Sequence, residues 1–253
     1  MTRTALDHRP PPAMILVIDI GGSQVKILAT GETEPRTCPS GKRLTPAQMV
    51  AAVHELAADW TYTAVSIGYP GVVGARGPRA EPGNLGPGWV GFNFAAAFDR
   101  PVRIINDAAM QALGHYEGGR MLFLGLGTGL GSALIADRVI VPLELARLPS
   151  PQGVPLDHVL SQRGVRQRGK KAWRRAVCEI VPMLMEAFLA DDVVLGGGNA
   201  SQLKHLPPGT RLGHNQTAFR GGFRLWTLED VPTLAGDEEH HTPPLGAWAW
   251  RLI

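Results

Sequence analysis

Twice in this chain a short apolar strand runs into glycine and leaves it as a second strand. Met14-Ile-Leu-Val-Ile-Asp-Ile20 stops at Gly21-Gly22, and residues 24–30 resume the strand pattern. Residues 121–126 stop at Gly127-Thr-Gly-Leu-Gly131, and residues 132–136 resume it. Short aliphatic runs bounded by glycine read as buried strands, and a glycine pair between two of them reads as a hairpin turn. The same opening at the head of each half marks a weak internal duplication. Helical patterns alternate with the strands. Residues 46–60 carry Met49, Val53, Leu56 and Trp60 on one face, with Thr45 and Gln48 placed as a capping box. Residues 108–116 and 173–189 are further helices. Strands are expected at 64–68, 102–106, 139–142 and 193–195, with a hairpin at Asp137-Arg138 and mostly loop from Gly71 to Gly91.

Alternating strands and helices in two similar halves specify an α/β fold of two domains around a cleft. The expected boundaries are 14–106, 107–226 and a C-terminal tail, 227–253. Hydrophobic residues make up 44% and charged residues 19%, enough apolar material for a globular core. A net charge of +3 suits phosphate-rich ligands without specifying one. Cys38 and Cys178 stand far apart with no CxxC pair or zinc-finger spacing, so two unpaired thiols and no structural zinc are expected. The first thirteen residues are polar and proline-rich, unlike a signal peptide. Residues 14–18 are too few to span a bilayer. A cytoplasmic location is the expectation. The adjacent His240 and His241 sit in a polar stretch and read as solvated before they read as metal ligands.

Three glycine turns follow strands: Gly21-Gly22-Ser23, Gly127-Thr128-Gly129 and Gly196-Gly197-Gly198. Glycine lets a backbone approach a ligand and aim its N–H groups at an anion. None matches GxxxxGK[ST] and none opens a dinucleotide GxGxxG at a strand–helix turn. Asp19, at the end of the first strand, reads as a turn cap or as a carboxylate for hydrated Mg²⁺. Asp107, after a strand and before a helix, reads as an N-cap or as a base accepting a proton from an attacking hydroxyl.

With Asp19-Ile-Gly-Gly-Ser-Gln-Val-Lys26, Gly68-Tyr-Pro-Gly-Val-Val73, residues 84–89, Ile105-Asn-Asp107 and Leu126-Gly-Thr-Gly-Leu-Gly-Ser-Ala-Leu134 in this order, residues 14–226 resemble the ROK sugar kinases. Within them the resemblance is to the polyphosphate glucokinase branch. It implies an actin-like ATPase fold and phosphoryl transfer from ATP or polyphosphate to a hexose, glucose first and mannose second. It implies Asp107 as catalytic base, with Gly71, Asn84, Asn106, Asp107 and Glu144 around the sugar. Gly21, Gly22, Ser23, Lys26, Gly127, Thr128 and Gly129 would cradle phosphates, Gly196, Gly197 and Gly198 would flank the far end of the donor, and Asp19 would orient Mg²⁺.

The chain departs from the family in two places. The cysteine-rich zinc motif of typical ROK kinases is absent, as it is in the polyphosphate branch. Where that branch has Glu-Leu-Gly-His, this chain has Glu144-Leu-Ala-Arg147, and an arginine accepts no hydrogen bond. A catalytically silent sugar- or phosphate-binding protein is therefore the rival reading. Seven basic residues and no acid fall between Arg163 and Arg175: Arg163, Arg166, Arg168, Lys170, Lys171, Arg174 and Arg175. They read as a solvated helix entrance or as a track for a long polyanion. Trp173 alone interleaves them, so nucleic acid is not expected. A homodimer is the default for a soluble enzyme.

Overall fold

The apolar strand that opens each half becomes the centre of a sheet. The computed structural model describes residues 14–74, 76–214, 217–230 and 250–252. In the first half, β1 (Ile15–Ile20) pairs antiparallel with β2 (Gln24–Ala29), and β2 with β3 (Arg36–Pro39). Helix α1 (Pro46–Leu56) follows, with Thr45 and Gln48 forming the expected capping box. Then β4 (Ala64–Tyr69) joins the other edge of β1 in parallel. The glycine-rich loop carries a small ribbon of β5 (Val73–Gly74) and β6 (Gly77–Pro78). After the short α2 (Phe94–Phe98), β7 (Val102–Asn106) pairs parallel to β4 and leads directly into α3 (Asp107–His115).

The second half repeats this path. β8 (Met121–Leu126), β9 (Leu130–Ala136) and β10 (Val139–Leu143) form an antiparallel ladder. Its second turn is the expected one: Asp137 and Arg138 have φ of 51° and 67°, as a two-residue hairpin turn requires. The crossover runs through α4 (Asp157–Leu160) and α5 (Gln162–Ala187) to β11 (Asp192–Gly196), which lies parallel to β8, and then to β12 (Thr210–Leu212). Numbered within each half, both sheets read third–second–first–fourth–fifth, so the duplication seen in sequence is a duplication of topology. After α6 (Thr217–Arg224), β13 (Leu228–Asp230) and β14 (Trp250–Leu252) extend the second sheet beyond β10.

The two sheets meet over α3 and α6. Ile15 and Val17 of the first sheet, Met110 and Leu113 of α3, Phe123 and Ile135 of the second sheet and Phe219 of α6 share one core. α6 comes late in sequence but returns to the first sheet. Ser66 Oγ donates to Gly222 O at 2.6 Å, and Trp226 Nε1 donates to Ser66 Oγ at 2.9 Å. Each half also has its own outer core, with α1 and α2 on the first sheet and α4 and α5 on the second.

Several elements differ from expectation for local reasons. α1 stops at Leu56, and Trp60 is buried beyond it with the Arg36 guanidinium 4.1 Å over its ring. The helix expected at 173–189 begins at Gln162, and Gly169, with φ 76°, breaks it. The basic run therefore lies on both helical segments. Trp250 pairs through its backbone with β10, whereas His240, His241, Pro243, Pro244 and Trp248 lie outside the described residues.

Candidate active site

Parallel strands β1, β4 and β7 end together, with Asp19 beside Gly68 and Tyr69 beside Asn106. Open α/β sheets bind ligands at such carboxyl ends. The corresponding ends of β8 and β11 face them, and the space between divides into two connected chambers. The first, about 500 Å³, is lined by Gly71, Asn84, Asn106, Asp107, Glu144 and Asp157, among others. The second, about 510 Å³, is lined by Asp19, Ser23, Lys26, Gln162, Gly198 and Asn199, among others. Both are lined by Gly22, Gln111, Gly127, Thr128 and Gly197, which form the neck. Gly197 takes φ +81°, and a Cβ there would strike the backbone of Leu126 and Gly127. Only glycine closes the two turns this tightly against each other.

Asn106 and Asp107 divide the work at the start of α3. Asn106 is the N-cap: its Oδ1 accepts from Ala109 N at 3.1 Å, and its Nδ2 donates to Gly71 O at 3.1 Å. This ties the helix start to the loop after β4 and leaves one amide N–H for the chamber. Asp107 Oδ1 accepts from Ala108 N at 2.8 Å. That bond orients the carboxylate, and no side-chain donor is hydrogen-bonded to it among the described residues. Burial raises the Asp107 pKa to about 7, and the charges of Asp19 and Glu144 add to the rise while the Ala108 N–H opposes it. A carboxyl that titrates near neutrality suits a general base.

In the second chamber Asp19 and Lys26 face each other across the β1–β2 ladder. Burial pushes the Asp19 carboxyl up, and Lys26 opposes it. Asp19 makes no side-chain hydrogen bond among the described residues. Among those residues no three His, Cys, Asp or Glu side chains gather into a metal-binding cluster. One unpartnered carboxylate beside the glycine turns fits Mg²⁺, which keeps most of its waters and takes one or two carboxylates.

Most residues singled out in sequence line this cleft. Gly21, Gly22, Ser23, Lys26, Gly127, Thr128, Gly197 and Gly198 line the second chamber. Gly129 lines the other chamber instead. Gly196 lines neither, and the space beside its Cα is filled by the Phe123 ring. Arg147 is exposed at the end of a single 3₁₀ turn, while Glu144 and Ala146 of that turn line the chamber. The arginine that departs from the family pattern thus stands off the cleft. Two lining side chains had no sequence signal. Asp157 Oδ1 accepts from Leu130 N at 2.9 Å, and Gln111 follows Asp107 by one helical turn. A further cavity of about 560 Å³ lies behind β7, between Phe92, Phe94 and Pro142. It contains none of the carboxylates or glycine turns, so chemistry assigns the site to the two-chambered cleft.

This duplicated fold is similar to that of solved ROK-family sugar kinases. The inorganic polyphosphate/ATP-glucomannokinase of Arthrobacter sp. strain KM superposes with a TM-score of 0.71 at 23% identity, over 83% of this chain and 97% of that one. A ROK family glucokinase from Streptomyces griseus, solved with glucose and AMPPNP, superposes with a TM-score of 0.66 at 16% identity, over 83% and 97%. In sequence the chain is similar to the polyphosphate glucokinase of Mycobacterium leprae, 27% identical over 204 residues. That match covers 72% of this chain and 62% of the relative, under two thirds of its length. No family model matches. The resemblance read from the motifs holds: the chain is similar to the ROK sugar kinases near polyphosphate glucokinase.

Proposed function

We propose that this protein transfers a phosphoryl group from polyphosphate or ATP to a hydroxyl of a hexose, glucose before mannose. The observation that carries this reading is the neck. A chamber holding a raised-pKa carboxylate opens through glycine turns onto a chamber holding Asp19 and Lys26. The sugar would sit against Asn84, the free N–H of Asn106, Asp107 and Glu144. The donor would lie along Gly21, Gly22, Ser23, Gly127 and Thr128, its terminal phosphoryl at the neck. Bound Mg²⁺, held by Asp19 and donor oxygens, would neutralise phosphate charge. Asp107 takes the hydroxyl proton as the sugar oxygen attacks, and backbone N–H groups of the glycine turns receive the spreading charge. The position of Arg147 off the cleft supports an active kinase over a silent binder.

The test is incubation of the purified protein with Mg²⁺, a hexose panel and either donor, with sugar phosphate measured by mass spectrometry. Product from glucose or mannose supports the reading. Sugar binding without product from any pair would replace it with the silent binder.

The basic residues of α5 bear on the donor. Gln162, at the head of this helix, lines the phosphate-side chamber and donates its backbone N–H to Gly127 O at 2.8 Å. Among the described residues, none of the seven basic side chains has a carboxylate within salt-bridge distance. Six of the seven are exposed, while Arg174 is half-buried and donates to Gln202 O. Such a row is open to a chain of phosphates leaving the chamber. Replacing Lys170 and Lys171 with Gln should raise KM for polyphosphate roughly three- to tenfold and leave that for ATP within about twofold. Equal effects on both donors would remove the track.

A further inference from the structure

Five residues line both chambers, and three of them are glycines, so only Gln111 and Thr128 offer side chains at the neck. Gln111 lies four residues after Asp107 on α3, hence on the same face and about 6 Å further along the helix. The side chain is half-buried, and its amide has no hydrogen-bond partner among the described residues. Its end lies 3.8 Å from the point that a Cβ on Gly196 would occupy. The amide is thus open to the cleft and committed to no neighbour, at the point where the two chambers join.

We propose that Gln111 is a phosphoryl-contact residue, donating its side-chain amide to an equatorial oxygen of the group being transferred. The inference rests on the kinase reading above. In that step the sugar oxygen forms a bond to the terminal phosphorus, and the bond from that phosphorus to the bridging oxygen breaks. The electron pair leaves on ADP or on the shortened polyphosphate, and the hydroxyl proton goes to Asp107. Charge spreads over the equatorial oxygens as this happens. A neutral amide donates to them without adding a nucleophile or a competing charge. The contact strengthens as charge develops, so it acts on kcat more than on binding.

The test uses Gln111→Met, which keeps length and volume but cannot donate a hydrogen bond, and Gln111→Glu, which replaces the donor with an acceptor. For Gln111→Met, kcat with glucose should fall about 10²-fold with ATP and polyphosphate alike. Glucose binding, measured alone by calorimetry, should stay within twofold. Inhibition by ADP with aluminium fluoride in the presence of glucose should weaken by a factor similar to that in kcat. Gln111→Glu should lose at least as much, with a deficit that grows as pH rises and the new carboxyl ionises. Melting temperatures report the fold of both. Folded variants with kcat within threefold of the wild type would overturn the inference. So would a loss confined to glucose affinity, which would place the amide on the sugar. A wild-type protein inactive with every sugar and donor would sink the kinase reading and this inference together; an active wild type with unaltered variants would sink this inference alone.

Discussion

Asp107→Asn is expected to lower kcat with glucose about 10³-fold, the middle to upper range for a lost general base, while donor KM stays within about twofold. Asn keeps the shape of the side chain and an oxygen to accept the Ala108 N–H, so the start of α3 should persist. What is lost is the proton acceptor. The wild-type pH profile provides a second reading. With its pKa raised to about 7, Asp107 is protonated below that pH and unable to act as base, so kcat/KM for the sugar should fall on the acid side of about 7. The residual activity of Asp107→Asn should lack that acid limb. A variant with near wild-type turnover, or one with the limb intact, would remove Asp107 from the base role.

The same shift makes a stability prediction with a definite sign. The folded pKa lies above the unfolded value of 3.8, so the folded chain binds the proton more tightly. The stability associated with that proton is fully present below the unfolded pKa and is lost as pH rises through about 7. Asn carries no ionisable group and escapes this loss. Asp107→Asn should therefore melt higher than the wild type at pH 8, with the gap narrowing as the pH falls toward 4. A gap constant across this range would show that burial does not disfavour the charge at Asp107. Removing a buried carboxylate and gaining stability is the pattern expected where a site holds charge against its surroundings.

Both hairpins and their glycine turns were legible in the sequence because aliphatic runs ending in glycine have few other meanings. The duplication followed from them, and the matching strand order bears it out. β3 was not legible: Arg-Thr-Cys-Pro has no apolar alternation and owes its extended form to pairing with β2. Nor was α6, whose adjacent Gly221 and Gly222 weaken helix propensity locally and make sense only against the partner they touch. The site divides along the same line. Asp19, Asp107 and the glycines carry local chemistry that spacing exposes. Gln111 and Asp157 line the cleft because one face of α3 and the start of α4 turn toward it, and no pattern in their neighbours announces that. Gly196 looked like part of a phosphate turn, yet the Phe123 ring occupies its open side. That ring comes from a strand about seventy residues earlier, a contact invisible to local reading.

Gly221→Ala is expected to destabilise the protein by about 3 kcal/mol or more, the upper end of overpacking costs. In isolation the change should help, since Ala is the better helix former by about 1 kcal/mol. The packing decides the sign. A Cβ on Gly221 would fall on the carbonyl of Met110, and one on Gly114 would fall on the carbonyl of Thr217. Thus α3 and α6 touch backbone to backbone, with no side-chain end available to rotate away. On the first sheet's side, a Cβ on Gly222 would instead fall on the side chain of Val17. For a chain of this size the loss corresponds to a fall in Tm of roughly 6–12 °C. Gly83→Ala is the control: its Cβ would meet open space at an ordinary φ, and its Tm should move by no more than about 2 °C. A Gly221→Ala protein as stable as the wild type would mean that α6 can slide on α3. Because α3 carries both Asp107 and Gln111, any such movement reaches the neck. The variant's kcat, measured well below its melting point, should then fall even where the fold persists. If kcat instead holds while Tm drops, the contact fixes the stability of the two halves without fixing the position of the site.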